Sequence, residues 1–164
     1  MLTARSPALS DSRKARPLYS VEERARRDAS IWTLVQGVLA PLQFVVFLVS
    51  LVLVLRTLAT GDGYTAATVS ILAKTAVLYA IMVTGAIWEK EVFGQYLFAP
   101  AFFWEDVVSF GVIALHTLYV LALFGGWAGE QALLYIALAA YLAYVVNAAQ
   151  FLWKLRLARS EAVA

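Results

Sequence analysis

Four long hydrophobic stretches, joined by short polar connections, dominate the pattern of the chain. Each is longer than the roughly 20 residues that a helix needs to cross the hydrocarbon core of a bilayer. We predict transmembrane helices at about 31–55, 66–88, 102–124 and 131–153. The expected fold class is an all-α integral membrane protein, built as a bundle of four transmembrane helices.

The residues before the first span predict a tail and a short helix. Residues 1–17 are polar, basic and interrupted by proline, which indicates a disordered N-terminal tail. Ser20 followed by Glu23 fits a capping box, so a short charged helix begins there and lies at the membrane interface. The transmembrane domain is therefore expected over 18–159, and residues 160–164 form a C-terminal tail.

Composition agrees with a membrane protein and excludes several chemistries. Hydrophobic residues make up 62% of the 164 residues, and charged residues only 15%, against roughly 25% in soluble proteins. The chain has no cysteine, which excludes disulfides, thiolate nucleophiles, Cys-ligated zinc and iron–sulfur clusters. We find no nucleotide-binding, zinc-protease or serine-hydrolase motif. No metal or redox cofactor of the protein's own is expected.

The distribution of basic residues predicts the orientation. Basic residues gather before the first span and after the last one, and Arg56 is almost alone in the loops after spans one and three. The positive-inside rule then places both termini and the connection between spans two and three in the cytoplasm. A multi-pass inner membrane protein follows, with the lipid bilayer as a partner and no nucleic acid.

Polar side chains recur on one face of two spans. A glutamine in hydrocarbon is costly unless it faces another helix, so these residues should point into the bundle. In span one they are Gln36, Gln43 and Ser50, and in span four they are Tyr144, Asn147, Gln150 and Lys154.

Two ionisable residues fall inside the spans. Lys74 is expected to extend back to the interface, although pairing with a substrate carboxylate is the alternative. His116, the single histidine, shares a helix face with Glu105, Ser109 and Val112. It either makes an interhelical hydrogen bond or serves as an axial ligand to a metal held in a macrocycle.

The connection from Trp88 to Asp106 is rich in both carboxylates and aromatic rings. Glu105 and Asp106 lie in the first turn of span three, where the helix dipole favours negative charge whatever their function. The aromatic residues suit a membrane-interface belt, but they would also make a wall for a flat apolar ring system. They include Trp88, Phe93, Tyr96, Phe98, Phe102, Phe103 and Trp104.

Several segments resemble the 3-vinyl bacteriochlorophyllide hydratase family of phototrophic bacteria. They are QGVLAPLQF (36–44), IWEKEVFGQYLFAPAFFWEDV (87–107), ALHT (114–117) and NAAQF (147–151), and the similarity extends from Tyr19 to Arg159. The resemblance implies a hydro-lyase that adds water to the 3-vinyl group of a magnesium chlorin. It also implies residence in the cytoplasmic or intracytoplasmic membrane and contact with other pigment-biosynthesis enzymes.

Adding water to a vinyl group needs a general acid, and a carboxyl group in an apolar setting can keep its proton near neutrality. Our hypothesis assigns this role to Glu105 or Asp106, with Glu89 and Glu91 as second candidates. A second hypothesis makes His116 the axial ligand of the pigment magnesium. The predicted substrate-binding residues are His116, Gln36, Gln43, Trp88, Tyr96, Phe103, Trp104, Tyr144, Asn147 and Gln150.

Two other functional classes use the same residues. A non-catalytic pigment-binding or assembly subunit of a photosynthetic complex would need the aromatic wall and the histidine without the acid. A small transporter is disfavoured because the chain shows no internal repeat and no paired helix breaks. Four short helices could also form a homo-oligomer.

Overall fold

The computed structural model describes residues 17–163, with side chains through 160. Most of the predicted N-terminal tail, residues 1–16, lies outside the described residues. The described chain forms five helices and no strand: α1 (Val21–Ala29), α2 (Ile31–Thr60), α3 (Tyr64–Phe93), α4 (Phe103–Gly125) and α5 (Glu130–Val163). Helices α2 to α5 are long and apolar enough to cross a membrane. The predicted all-α class with four spans is confirmed.

The capping box predicted for α1 is present. The Ser20 hydroxyl accepts a hydrogen bond from the Glu23 backbone N–H at 3.2 Å, and the Glu23 carboxylate accepts one from the Ser20 N–H at 2.7 Å. The Arg26 guanidinium then donates to the Val92 carbonyl at 2.8 Å, which attaches α1 to the end of α3.

Helices α2 and α3 extend beyond the predicted spans because glycines, and not hydrophobicity, set their C-terminal ends. Gly61 and Gly94 end α2 and α3 with positive φ angles of 78° and 84°, a conformation that costs glycine little. Helix α5 continues to Val163, through most of the stretch assigned to a C-terminal tail. The predicted spans lie within α2, α3 and α5, and α4 agrees with its predicted span to within one residue at each end.

The four long helices pack as two hairpins. Helix α2 packs mainly on α3, and α4 mainly on α5, while the hairpins meet less extensively through α2–α5 and α3–α4. Buried side chains such as Phe47, Ile71, Val112 and Tyr141 fill the centre. The interface between the hairpins therefore has two edges, and the α3–α4 edge leads directly to the carboxylates.

Candidate functional site

The α3–α4 connection folds back onto two carboxylates. The Phe98 N–H donates to Asp106 Oδ2 at 2.6 Å, and the Ala99 N–H donates to Glu89 Oε2 at 3.2 Å. Phe98 has a φ of 59°, which is uncommon for a residue with a side chain. Hydrogen bonds to the two carboxyl groups hold the backbone in this conformation.

Glu89 and Asp106 form a carboxyl pair between α3 and α4. Their side chains are 5% and 4% exposed, and the two carboxyl groups lie close enough to interact electrostatically. Neighbouring buried carboxyl groups disfavour double ionisation, so one of the two keeps a proton. The pair is thus a proton-holding group beneath the connection.

Glu105 has a different environment although it is next to Asp106 in sequence. Its carboxylate is 5% exposed and lies 3.5 Å from the Lys154 ammonium of α5. Lys154 also donates to the Ala101 carbonyl. The ion pair with Lys154 fixes the position of the Glu105 carboxylate at the edge of α4 and α5. Glu105 also borders an open depression of about 650 Å³ beside Gln150 and Trp153.

Glu91, the fourth predicted carboxylate, lies apart from the other three. It accepts a hydrogen bond from the Ser30 hydroxyl at 2.7 Å, and Ser30 caps α2. Its contact therefore joins α3 to the α1–α2 junction. The structure brings Glu89, Glu105 and Asp106 together and gives Glu91 a structural contact.

The aromatic residues of the connection divide into two groups. Trp88, Phe93 and Phe102 pack with Tyr19, with ring centroids 5.6–6.3 Å apart. The Trp88 indole donates to the Thr33 hydroxyl at 2.9 Å. This group is an internal cluster that holds α1 to the bundle, and its Trp88 and Phe93 rings are only partly exposed.

The second group is an outer aromatic patch of Phe98, Phe103, Trp104 and Phe110. Phe98 stacks on Phe110 with centroids 5.4 Å apart and an interplanar angle of 11°, and Phe103 contacts both Phe98 and Trp104. Each of the four side chains is at least 39% exposed. Since Phe98 is bonded to Asp106, the patch lies beside the carboxyl pair. Tyr96 is also exposed but stays near Lys90.

The predicted amide residues occupy the bundle interior at different depths. Gln36 donates to the Thr84 hydroxyl of α3 at 2.7 Å, and Asn147 donates to the Ser109 hydroxyl at 2.7 Å. Gln43 and Asn147 are nearly fully buried, and the Oε1 of Gln43 and the Oδ1 of Asn147 have no hydrogen-bond partner among the described residues. Gln150 is partly exposed at the edge of the bundle.

The expectation that Lys74 extends to the interface is wrong. Its side chain is completely buried, and Nζ lies 3.8 Å from the centroid of the Tyr144 ring. Tyr144 is on α5, so the lysine points across the interface between the hairpins. The surrounding packing encloses the side chain, so it makes a cation–π contact with Tyr144 and does not extend to the headgroups.

His116 lies close to Lys74 and is also completely buried. Its Nδ1 is 2.8 Å from the Val112 carbonyl, and a carbonyl can only accept, so Nδ1 carries the proton. Nε2 therefore presents a lone pair, and it has no hydrogen-bond partner among the described residues. The interhelical bond that we expected as the simple role is an intrahelical one, and Nε2 remains available as a ligand.

Several contacting residues were not singled out as site residues. Lys154 pairs with Glu105, and Phe110 completes the outer patch. Phe110 lies seven residues after Phe103, so helical spacing could have placed both on one face. The pairing of Lys154 depends on how α4 and α5 pack, which no sequence pattern shows.

Fold and site together define an integral membrane protein with a proton-holding carboxyl pair at one end of a four-helix bundle. The sequence model of the 2-vinyl bacteriochlorophyllide hydratase family matches residues 19–157. The chain therefore belongs to this family, and it is an enzyme of the hydro-lyase class. The "2-vinyl" of the family name and the "3-vinyl" used above denote the same substituent.

Two curated relatives are similar over most of their length. The 2-vinyl bacteriochlorophyllide hydratase of Rhodobacter capsulatus is 72% identical over 151 residues, covering 92% of this chain and 86% of the relative. The protein of the same name from Cereibacter sphaeroides is 72% identical over 147 residues, covering 89% and 91%. No solved structure matches the chain.

Proposed function

We propose that the protein adds water to the 3-vinyl group of a chlorophyllide-type pigment and forms the 3-(1-hydroxyethyl) product. The observation that carries the proposal is the buried carboxyl pair of Glu89 and Asp106, with Glu105 beside it in sequence, in a member of a hydratase family. One carboxyl group with a proton and a second without one are the two groups that hydration needs.

The first step is proton transfer to carbon. Asp106, in the proton-holding pair, donates a proton to the terminal CH₂ of the vinyl group. The electron pair of the double bond forms the new C–H bond, and the inner carbon becomes a cation that the macrocycle delocalises. Glu89 supports this step by holding the connection in place, because its carboxylate accepts a hydrogen bond from the Ala99 N–H.

The second step is attack by water. A water molecule forms a C–O bond to the inner carbon, and Glu105 accepts the proton that this water releases. The 3.5 Å ion pair with Lys154 holds the Glu105 carboxylate in place for this role. Transfer of the proton from Glu105 back to the neighbouring pair restores the starting state of the enzyme. The net reaction is the addition of one water molecule to the vinyl group of the pigment. The depression beside Trp153 gives water a route to Glu105.

The pigment arrives from the lipid at the α3–α4 edge. The outer aromatic patch offers flat rings beside Asp106, which suits the face of a chlorin. With both termini cytoplasmic, the site opens toward the cytoplasmic leaflet of the inner or intracytoplasmic membrane.

Deeper in the same interface, the Nε2 lone pair of His116 is the donor expected for an axial position of the pigment magnesium. Because the ring is completely buried, this role requires the hairpins to separate along the α3–α4 edge. Gln43 and Asn147 then present carbonyl oxygens to water or to polar groups of the bound pigment.

Carboxyl-to-amide variants test the assignment. Asp106→Asn and Glu105→Gln should each lower the rate of vinyl hydration by about 10²–10⁴-fold, the usual worth of general acid–base help. Glu89→Gln should also lower the rate, because an amide that donates to Asp106 favours the ionised form of this carboxyl group and so removes the acid. Glu91→Gln is the matched control, because it removes a carboxylate that lies outside the site.

Rates are measured on folded protein that still binds pigment, followed by the absorption change of the macrocycle. Near wild-type rates for both Asp106→Asn and Glu105→Gln would refute the acid and base roles. A loss of the same size in Glu91→Gln would also refute them, because the effect would then be structural.

A further inference from the structure

We infer that Lys74 binds the carboxylate of the pigment's propionate side chain. The inference rests on the proposed function, and it identifies the group of the substrate that Lys74 contacts. A chlorophyllide carries this propionate as a free acid, whereas a chlorophyll carries it as an ester. The structure provides a cation for it inside the membrane.

Lys74 has no anion beside it among the described residues. Its side chain has no exposed surface, and Nζ has no hydrogen-bond partner among them. The two ion pairs in this part of the chain involve Arg27 and Lys154, not Lys74. An isolated charge is costly to bury, and intramembrane lysines usually pair with an anion or contact a ligand. The Tyr144 ring, 3.8 Å from Nζ, carries no negative charge.

Buried polar groups on the other three helices are also incomplete. Gln43 of α2, His116 of α4 and Asn147 of α5 each have a buried polar atom without a hydrogen-bond partner among the described residues. The other contacts of His116 and Asn147 use their N–H groups, so His116 Nε2 and Asn147 Oδ1 are left as hydrogen-bond acceptors. Lys74 is therefore the donor of the group, and the part of a ligand that contacts it must be an acceptor.

The depth of Lys74 matches the size of the pigment. Asn147 bonds to Ser109, which is about one helical turn from Asp106, and Tyr144 is about one turn beyond Asn147. The amino group over the Tyr144 ring thus lies two to three turns, roughly 11–15 Å, from the acid along the bundle axis, since His116 is ten residues from Asp106 on α4. A chlorin with its vinyl group at Asp106 can extend its propionate over such an interval.

Position in the bundle also agrees. Lys74 and Glu89 are both on α3, and His116 and Asp106 are both on α4, so one edge between the hairpins holds the acid and the cation. The hairpins pack less extensively against each other than their own helices do. Separation along α3–α4 would admit a flat ring without breaking either hairpin.

The test compares two ligands that differ only in this carboxylate: 3-vinyl chlorophyllide and its propionate methyl ester. Binding to purified protein in detergent is followed by the pigment absorption band. We expect the ester to bind the wild-type protein about 10- to 100-fold more weakly than the acid, the size of a lost charge-assisted hydrogen bond. Lys74→Met should bind acid and ester alike, and Arg56→Met should keep the wild-type ratio, since Arg56 is exposed on α2.

Equal affinities of acid and ester for the wild-type protein would overturn the inference without any variant. So would a full wild-type ratio in Lys74→Met, or in Lys74→Gln if the methionine variant does not fold. The proposed function is decided separately by product formation. Tighter binding of the acid than of the ester, without product formation, supports the lysine contact and refutes the hydratase. Product formation with equal binding of acid and ester supports the hydratase and refutes the lysine contact.

Discussion

Replacing Lys74 by methionine should stabilise the ligand-free protein while it weakens pigment binding. Methionine keeps the length and much of the volume of the lysine stem, so Lys74→Met changes mainly the buried amino group. Most substitutions of fully buried residues lower the free energy of unfolding. An increase in the free energy of unfolding is therefore informative. It follows from a cation that has no anion beside it among the described residues.

The magnitude follows from two opposing contributions. Burying an ion costs several kcal/mol after relaxation of the protein, and a desolvated cation–π contact gives back about 2 kcal/mol. The Tyr144 contact at 3.8 Å is such a contact. Lys74→Met should thus raise the free energy of unfolding by about 1–3 kcal/mol.

The measurement is unfolding in mixed micelles at increasing fractions of denaturing detergent, followed by circular dichroism without pigment. Arg56→Met is the matched control and should change stability little, because Arg56 is exposed. Val54→Ala shows that the assay detects lost packing, since Val54 is completely buried. If Lys74→Met is destabilised as Val54→Ala is, the ammonium has a stabilising partner and the reasoning is wrong.

Three further predictions concern the ends of the bundle. Burial raises the pKa of Tyr19 to about 12, against the opposing influence of Arg27. The free energy of unfolding should therefore fall between pH 10 and about 12, because only the unfolded chain loses this proton in that range. Tyr19→Phe should remove this part of the fall, measured by unfolding at a series of pH values. Gly125→Ala should shift the Trp127 fluorescence, because a Cβ there would lie 2.4 Å from the indole nitrogen; unchanged emission would contradict the contact. Ser20→Ala should remove about 1 kcal/mol from α1, seen as faster amide exchange in Val21–Ala29 only, and uniform exchange would count against the cap.

The bundle could be predicted from sequence because length and polarity decide it. A bilayer admits only helices of sufficient apolar length in such a chain, so the four spans follow from hydrophobic runs alone. The faces also follow from helical spacing, and the row from Glu105 through Ser109 and Val112 to His116 is buried as predicted. Helix ends were less predictable, because Gly61 and Gly94 act through backbone conformation.

The site could be predicted only as a set of residue types. The sequence grouped four carboxylates, but tertiary contacts separate them: Asp106 turns toward α3, Glu105 toward α5 and Glu91 toward Ser30. Adjacent residues on a helix point about 100° apart, so sequence neighbours such as Glu105 and Asp106 need not share partners. The aromatic stretch divided for the same reason, between an internal cluster and the outer patch.

Lys74 shows the limit of arguments from one helix. A lysine two to three turns inside a span is expected to extend toward water, and only the position of Tyr144 on another helix explains why it does not. The residue that the sequence treated as peripheral became the cation of the proposed pigment site.

The central claim is tested most directly by hydration in heavy water. Purified protein is incubated with a 3-vinyl chlorophyllide in D₂O, and the product is analysed by mass spectrometry and NMR. If Asp106 transfers a solvent-exchanged proton to the terminal carbon, the product carries one non-exchangeable deuterium in its new methyl group, and Asp106→Asn forms little of it. Bound pigment that keeps its vinyl group in the wild-type protein would contradict the account and indicate a pigment-binding subunit.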